Sequence, residues 1–137
     1  MTAYVDSSVL LRIVFGQPGA LRQWTKLTRT VSSALVRLEC LRAIDRVRLR
    51  FGVPDQDVAA LRESVLGHLG GFDLVPIDPP VLERAAEPFA TALGSLDAMH
   101  LATALLLRHE VADLRVATHD VELATAARAC GFVVLGV

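Results

Sequence analysis

Apolar positions along the chain come in two alternating kinds of stretch. Some are short unbroken runs bounded by polar or turn residues; others are longer, with apolar side chains recurring every three or four positions. The first kind predicts strands buried on both faces of a parallel sheet, the second helices with one face on a core. Ala3 to Val5, Thr30 to Ser33, Phe72 to Ile77, Leu114 to Thr118 and Phe132 to Leu135 read as strands. Helices are expected from Ser7 or Ser8, either of which could serve as the cap, to Phe15. Others run over Ala20 to Leu27, Ala34 to Phe51 with Ser33 as cap, Asp55 to Leu69, from Asp78 onward, Ser95 to Leu107 and Val121 to Ala129. Gly52 and Gly131 stop two of them, Pro54 suits a first turn, and Glu87-Pro88 predicts a break, because proline removes a donor and clashes with the preceding turn. On the long helix Leu35, Leu38, Leu41 and Ile44 form an apolar stripe, while Glu39 shares a largely apolar face with Val36 and Ala43.

Strands alternate with helices from end to end, with no repeat or linker, so the expectation is one domain over residues 1–137. Its class is α/β: a three-layer α/β/α sandwich around a central, mostly parallel sheet. A chain of 137 residues that is 53% hydrophobic and 21% charged can bury a sizeable core and is not disordered. The net charge of -1 supplies no global basic field for nucleic acid or an anionic membrane. Arg37, Arg42, Arg46, Arg48 and Arg50 crowd one stretch, as phosphate donors or as a solvated face paired with Asp45 and Glu39. Cys40 and Cys130 lie in apolar helical patterns without a CxxC pair and are expected in the core. No basic, apolar leader opens the sequence, and Arg12 and His109 break its longest apolar runs, so a cytoplasmic protein with no membrane partner is expected.

Polar chemistry gathers at the ends of the apolar runs. Asp6 stops the first strand, Asp97 stands in the first turn of an apolar helix, and Asp120 follows the fourth strand; Glu39 is about two turns into its helix. In a parallel sheet the carboxyl ends of the strands and the starts of the following helices share one edge, where open α/β domains place their sites. Two like charges about 5 Å apart repel by roughly 3 kcal/mol at an effective dielectric near 20, so converging carboxylates need a proton or a cation. An all-oxygen set, without a cysteine cluster or zinc spacing, favours Mg²⁺ or Mn²⁺, ions suited to phosphodiester hydrolysis. Taken singly, Asp97 also reads as a helix-dipole charge, Asp120 as a cap and Glu39 as a partner of Arg42 or Arg46.

Four stretches carry a resemblance: Tyr4-Val-Asp-Ser-Ser-Val-Leu-Leu11, Ser33-Ala-Leu-Val-Arg-Leu-Glu39, Leu96-Asp-Ala-Met-His-Leu-Ala-Thr-Ala104 and Ala117-Thr-His-Asp-Val-Glu-Leu-Ala-Thr-Ala-Ala127. In their order and spacing they resemble PIN-domain ribonucleases, specifically toxins of the VapC type, over nearly the whole chain. The resemblance implies a Mg²⁺-dependent endoribonuclease, with Mn²⁺ as substitute, that cuts RNA to inhibit translation. It further implies a type II toxin–antitoxin pair, a VapB-type antitoxin covering the acid cleft, and a homodimer. Carried over by motif, Asp6, Glu39, Asp97 and Asp120 are the catalytic acids, with Asp6, Asp97 and Asp120 on the metal and Glu39 orienting water or completing the shell around the ion's ligands. Ser7, Ser8 and Thr118 are expected to support them. The family commonly places one more acid or Asn near the fourth; the local candidate, Glu122, would leave along the next helix.

Other readings exist for the same acids. A phosphoacceptor receiver domain needs a basic residue late in the chain, and the only Lys is Lys26. A DxD phosphatase meets Ser8 where its second Asp should stand. A catalytically inactive PIN fold that binds RNA or protein as a regulatory module is the remaining alternative. His100, one turn beyond Asp97, is expected to pack or hydrogen-bond rather than bind metal, and His119, beside Asp120, is the better placed of the two to touch substrate. His68 and His109 are surface or helix-end residues, and Trp24 belongs to a satellite core or anchors a partner.

Overall fold

The computed structural model describes residues 1–137. Five strands form: β1 (Thr2–Val5), β2 (Arg29–Ser33), β3 (Phe72–Val75), β4 (Arg115–Ala117) and β5 (Val134–Leu135). Their ends lie within two residues of those the apolar pattern predicts. The helices are α1 (Ser7–Val14), α2 (Leu35–Phe51), α3 (Asp55–Leu69), α4 (Pro79–Ala86), α5 (Ser95–Leu107) and α6 (Val121–Ala129). The sheet runs β3-β2-β1-β4-β5 and every pairing is parallel, so the mostly parallel sheet is wholly so.

The pleat explains the layers. Tyr4 and Val116 point to one face, where Leu101, Ala104 and Leu105 of α5 and Leu123, Ala126 and Ala127 of α6 cover them. Ala3, Val5 and Ala117 point to the other, against Val9 of α1 and Leu21. Leu10, Val36, Cys40, Ile44, Val65 and Leu69 then join α1, α2 and α3 in a further cluster. Each such fully buried aliphatic side chain contributes about 1.5–3 kcal/mol relative to exposure. No helix is long and apolar enough to cross a membrane.

Local chemistry ends the elements where expected. Gly52 takes the left-handed conformation at φ 62° that closes α2. Glu87 is extended at ψ 158°, the backbone a following proline demands, and α4 stops before it. At the start of α2, however, Ala34 rather than the expected Ser33 holds the cap position, while Ser33 Oγ accepts the N–H of Leu35 at 3.1 Å.

Four expectations fail. The helix expected over Ala20 to Leu27 contracts to a single 3-10 turn, Trp24–Lys26. Trp24 anchors this loop by packing 6.3 Å from the Phe72 ring. Neither Ser7 nor Ser8 caps α1, because both lie inside its first turn and Asp6 occupies the cap position. The buried face of α2 is Leu35, Val36, Cys40, Ala43 and Ile44, whereas Leu38 is 58% exposed. Cys130 is only partly buried, unlike Cys40, whose thiol burial pushes up to about 12.

From β1 the chain moves outward to β2 and β3, then returns to the other side of β1 for β4 and β5. The connections therefore diverge between β1 and β4, which leaves a crevice at the carboxyl ends of those strands. Asp6 follows β1 there, and Thr118, His119 and Asp120 follow β4.

Candidate active site

The two strand ends flanking the crevice are tied by side-chain hydroxyls. Asp6 is 4% exposed. Its Oδ1 accepts from Ser8 Oγ at 2.6 Å and its Oδ2 from Thr118 Oγ1 at 3.0 Å. Thr118 Oγ1 in turn accepts the N–H of Asp120 at 2.9 Å, and Ser8 Oγ that of His119 at 2.9 Å. Asp120 Oδ1 accepts from Leu123 N–H at 2.9 Å and so caps α6. Burial still pushes the Asp6 carboxyl above the usual range, although the Ser8 and Thr118 hydroxyls pull the other way.

The opposite wall is built differently. Glu39 rises from α2 with its side chain 18% exposed, and its Oε1 meets Nε2 of the buried His100 from α5. His100 Nδ1 lies 2.6 Å from the Tyr4 hydroxyl, which also accepts the N–H of Ser33 at 3.2 Å. Neither Arg42 nor Arg46 pairs with Glu39; Arg42 and Arg48 hold Asp45 instead, and Arg48 keeps that carboxyl below its ordinary range. Asp97, in the first turn of α5, is half-buried and pushed up to about 6. Burial is the main cause, followed by the charges of Asp120 and Asp6, with Glu39 adding and His100 opposing.

The other three acids expected at the site thus all act on Asp97. Ser8 and Thr118 support Asp6 directly, while Ser7 takes no part in their network and lines a groove of about 340 Å³ beside Glu39. Leu38, Leu96, Arg42 and Arg46 form much of the rest of that groove. Glu122 is exposed on α6. His119 binds Gly136 O through Nδ1 at 3.0 Å, and its Nε2 is buried without a partner. The Tyr4 hydroxyl escaped sequence reasoning, which placed Tyr4 among the strand residues; a tyrosine in a strand buried on both faces needs a partner for its oxygen, and that was the available signal.

No three acidic, histidine or cysteine side chains converge tightly enough to form a ready-made ligand cage. Mg²⁺ does not require one, since it keeps several waters and uses one or two carboxylates together with substrate phosphate. Among the largest influences on Asp97 are the charges of Asp120, Asp6 and Glu39. A hard divalent ion matches the oxygen donors of these acids.

The comparisons agree with this geometry. The family model described as PIN domain matches residues 3–129. The chain is 31% identical over 137 residues to ribonuclease VapC47 of Mycobacterium tuberculosis, covering 95% of this chain and 93% of that protein. It is 33% identical over 135 residues to ribonuclease VapC46 of the same organism, covering 96% and 95%. Among solved structures, a toxin–antitoxin complex from Klebsiella pneumoniae superposes with a TM-score of 0.67 at 18% identity, covering 93% of each chain. VapBC2 of Rickettsia felis, bound to a fragment of promoter DNA, gives 0.66 at 10% identity, covering 98% of this chain and 97% of that one. VapBC-5 of Mycobacterium tuberculosis gives 0.63 at 17%, covering 99% and 98%. With the acids at the switch point of a wholly parallel sheet, these matches establish that the chain belongs to the PIN-domain family and, within it, to the VapC type.

Proposed function

We propose that this protein is an endoribonuclease dependent on Mg²⁺, with Mn²⁺ as substitute, and the toxin of a type II toxin–antitoxin pair that cuts RNA to inhibit translation. The observation that carries the proposal is the gathering of carboxylates at the switch point, where Asp120, Asp6 and Glu39 all act on Asp97. The ribonuclease names of two relatives support the activity.

In this reading Asp6, Asp97 and Asp120 hold the ion, which when bound supplies charge neutralisation and stabilisation of the transferring phosphoryl oxygens. Ser8 and Thr118 fix the orientation of Asp6 through its two oxygens. Glu39 orients the attacking water and takes its proton at the carboxylate oxygen that His100 leaves free.

The groove beside Glu39 supports a VapB-type antitoxin as partner. Leu38 and Leu96, 58% and 50% exposed, offer apolar walls, and the neighbouring acids invite a cationic side chain from outside. Such a segment would exclude ion and substrate together. A homodimer belongs to the same proposal.

The test is end-mapping of total cellular RNA incubated with purified protein in Mg²⁺. Discrete new ends with wild type, absent with Asp6→Asn and suppressed by the cognate antitoxin, are expected. No new ends in either Mg²⁺ or Mn²⁺, or the same ends with Asp6→Asn, would rule the ribonuclease reading out.

A further inference from the structure

We infer that His100 and Tyr4 are positioning residues for Glu39, a buried relay that aims its carboxylate; the inference rests on the ribonuclease reading above. The relay assigns each hydrogen bond a direction. A carboxylate only accepts, so the proton between Glu39 Oε1 and His100 belongs to Nε2. In the relay Nδ1 is the accepting nitrogen, and the Tyr4 hydroxyl donates to it over 2.6 Å. The Tyr4 oxygen also receives the Ser33 N–H, which leaves its own proton free to point at the ring.

The relay does more than satisfy buried polar atoms. Tyr4 comes from β1, two residues before Asp6; His100 is on α5, three residues after Asp97; Glu39 is on α2. One chain of contacts thus sets Glu39 relative to the elements that carry two of the other acids. Tyr4 and His100 are each 1% exposed, so neither competes for ion or substrate, while Glu39 opens on the groove. A carboxylate on a flexible stem, held at one oxygen, presents the other in a fixed direction.

The experiment measures kcat and KM for the purified full-length protein in Mg²⁺ on a fluorescent hairpin carrying the site mapped in total RNA. His100→Ala is expected to lower kcat about 10–100-fold with KM nearly unchanged. His100→Gln, which offers an N–H near the position of Nε2, recovers most of the loss, and Tyr4→Phe costs less than His100→Ala. In a Glu39→Gln background His100→Ala adds nothing further, because its effect passes through Glu39. Equal His100→Ala losses in both backgrounds, a change confined to KM, or His100→Gln as slow as His100→Ala would overturn the relay. Nitrogen-15 NMR of labelled histidine tests the geometry without activity: His100 as the Nε2–H tautomer supports it and the Nδ1–H tautomer overturns it. A wild type inert towards RNA fails the ribonuclease reading alone, since the tautomer still decides the relay.

Discussion

The two walls of the acid cleft hold their carboxylates by different means. On the β1–β4 side Asp6 and Asp120 are fastened at short range: hydroxyls meet both Asp6 oxygens, and a backbone amide meets Asp120. On the α2–α5 side Glu39 is held at one oxygen by a ring that is itself held, and Asp97 has only burial and its neighbours' charges acting on it. The first wall is built before any ligand arrives. Asp97 contributes repulsion until a cation offsets it, so this wall stores the electrostatic demand that the hydroxyls on the other wall cannot meet. Stability and function therefore separate by side chain even within one cleft.

That contrast can be broken most severely at Asp6, which belongs to the fastened wall and to the proposed ion site at once. Asp6→Asn should lower single-turnover RNA cleavage by about 10³-fold, roughly 4 kcal/mol of transition-state stabilisation. Circular dichroism should remain native, because an amide still accepts one of the two hydroxyl donors. Next comes Thr118→Val, which keeps the shape but strips Asp6 Oδ2 of its donor and the Asp120 N–H of its acceptor. A loss of about 2 kcal/mol is expected in urea denaturation.

Asp97→Asn should act in the opposite sense on the metal-free fold. The folded state holds the Asp97 proton more tightly than the unfolded chain does, with a value of about 6 against 3.8, so ionisation weakens the fold as pH rises between those values. Removing the charge should stabilise the protein at pH 7 by about 1 kcal/mol, after discounting for its half-exposed position. The gain should shrink to nothing below about pH 4, where both states are protonated, as pH-dependent thermal melts will read. The smallest effect belongs to Ser7→Ala, a residue that only lines the groove: cleavage should stay within about 3-fold of wild type, since a side chain outside any hydrogen-bond network costs little.

The same contrast marks how far the sequence was legible. The strands declared themselves because a parallel sheet covered on both faces needs continuous apolar runs, and glycines and prolines marked the breaks at Gly52 and Glu87-Pro88. Asp6, Asp97 and Asp120 were readable because an acid at the end of an apolar run is conspicuous. Their fastenings were not: Ser8 meets Thr118 across 110 residues of chain, and His100 meets Glu39 across 61. Such pairings depend on which helix face turns inward. On α2 helical spacing alone placed Leu38 in the core, whereas packing against α1 and α3 chose Val36 and Cys40. The contraction of Ala20 to Leu27 to one turn likewise reflects docking of Trp24, which no local propensity records.

The most direct measurement is the initial rate of RNA cleavage by the purified wild type as Mg²⁺ is raised from a chelator-buffered zero, with Asp97→Asn alongside. The acid cleft predicts a rate at background in chelator that saturates with Mg²⁺, and a variant that stays near background throughout. A wild-type rate indifferent to the chelator, or Asp97→Asn following the wild-type curve, would contradict it.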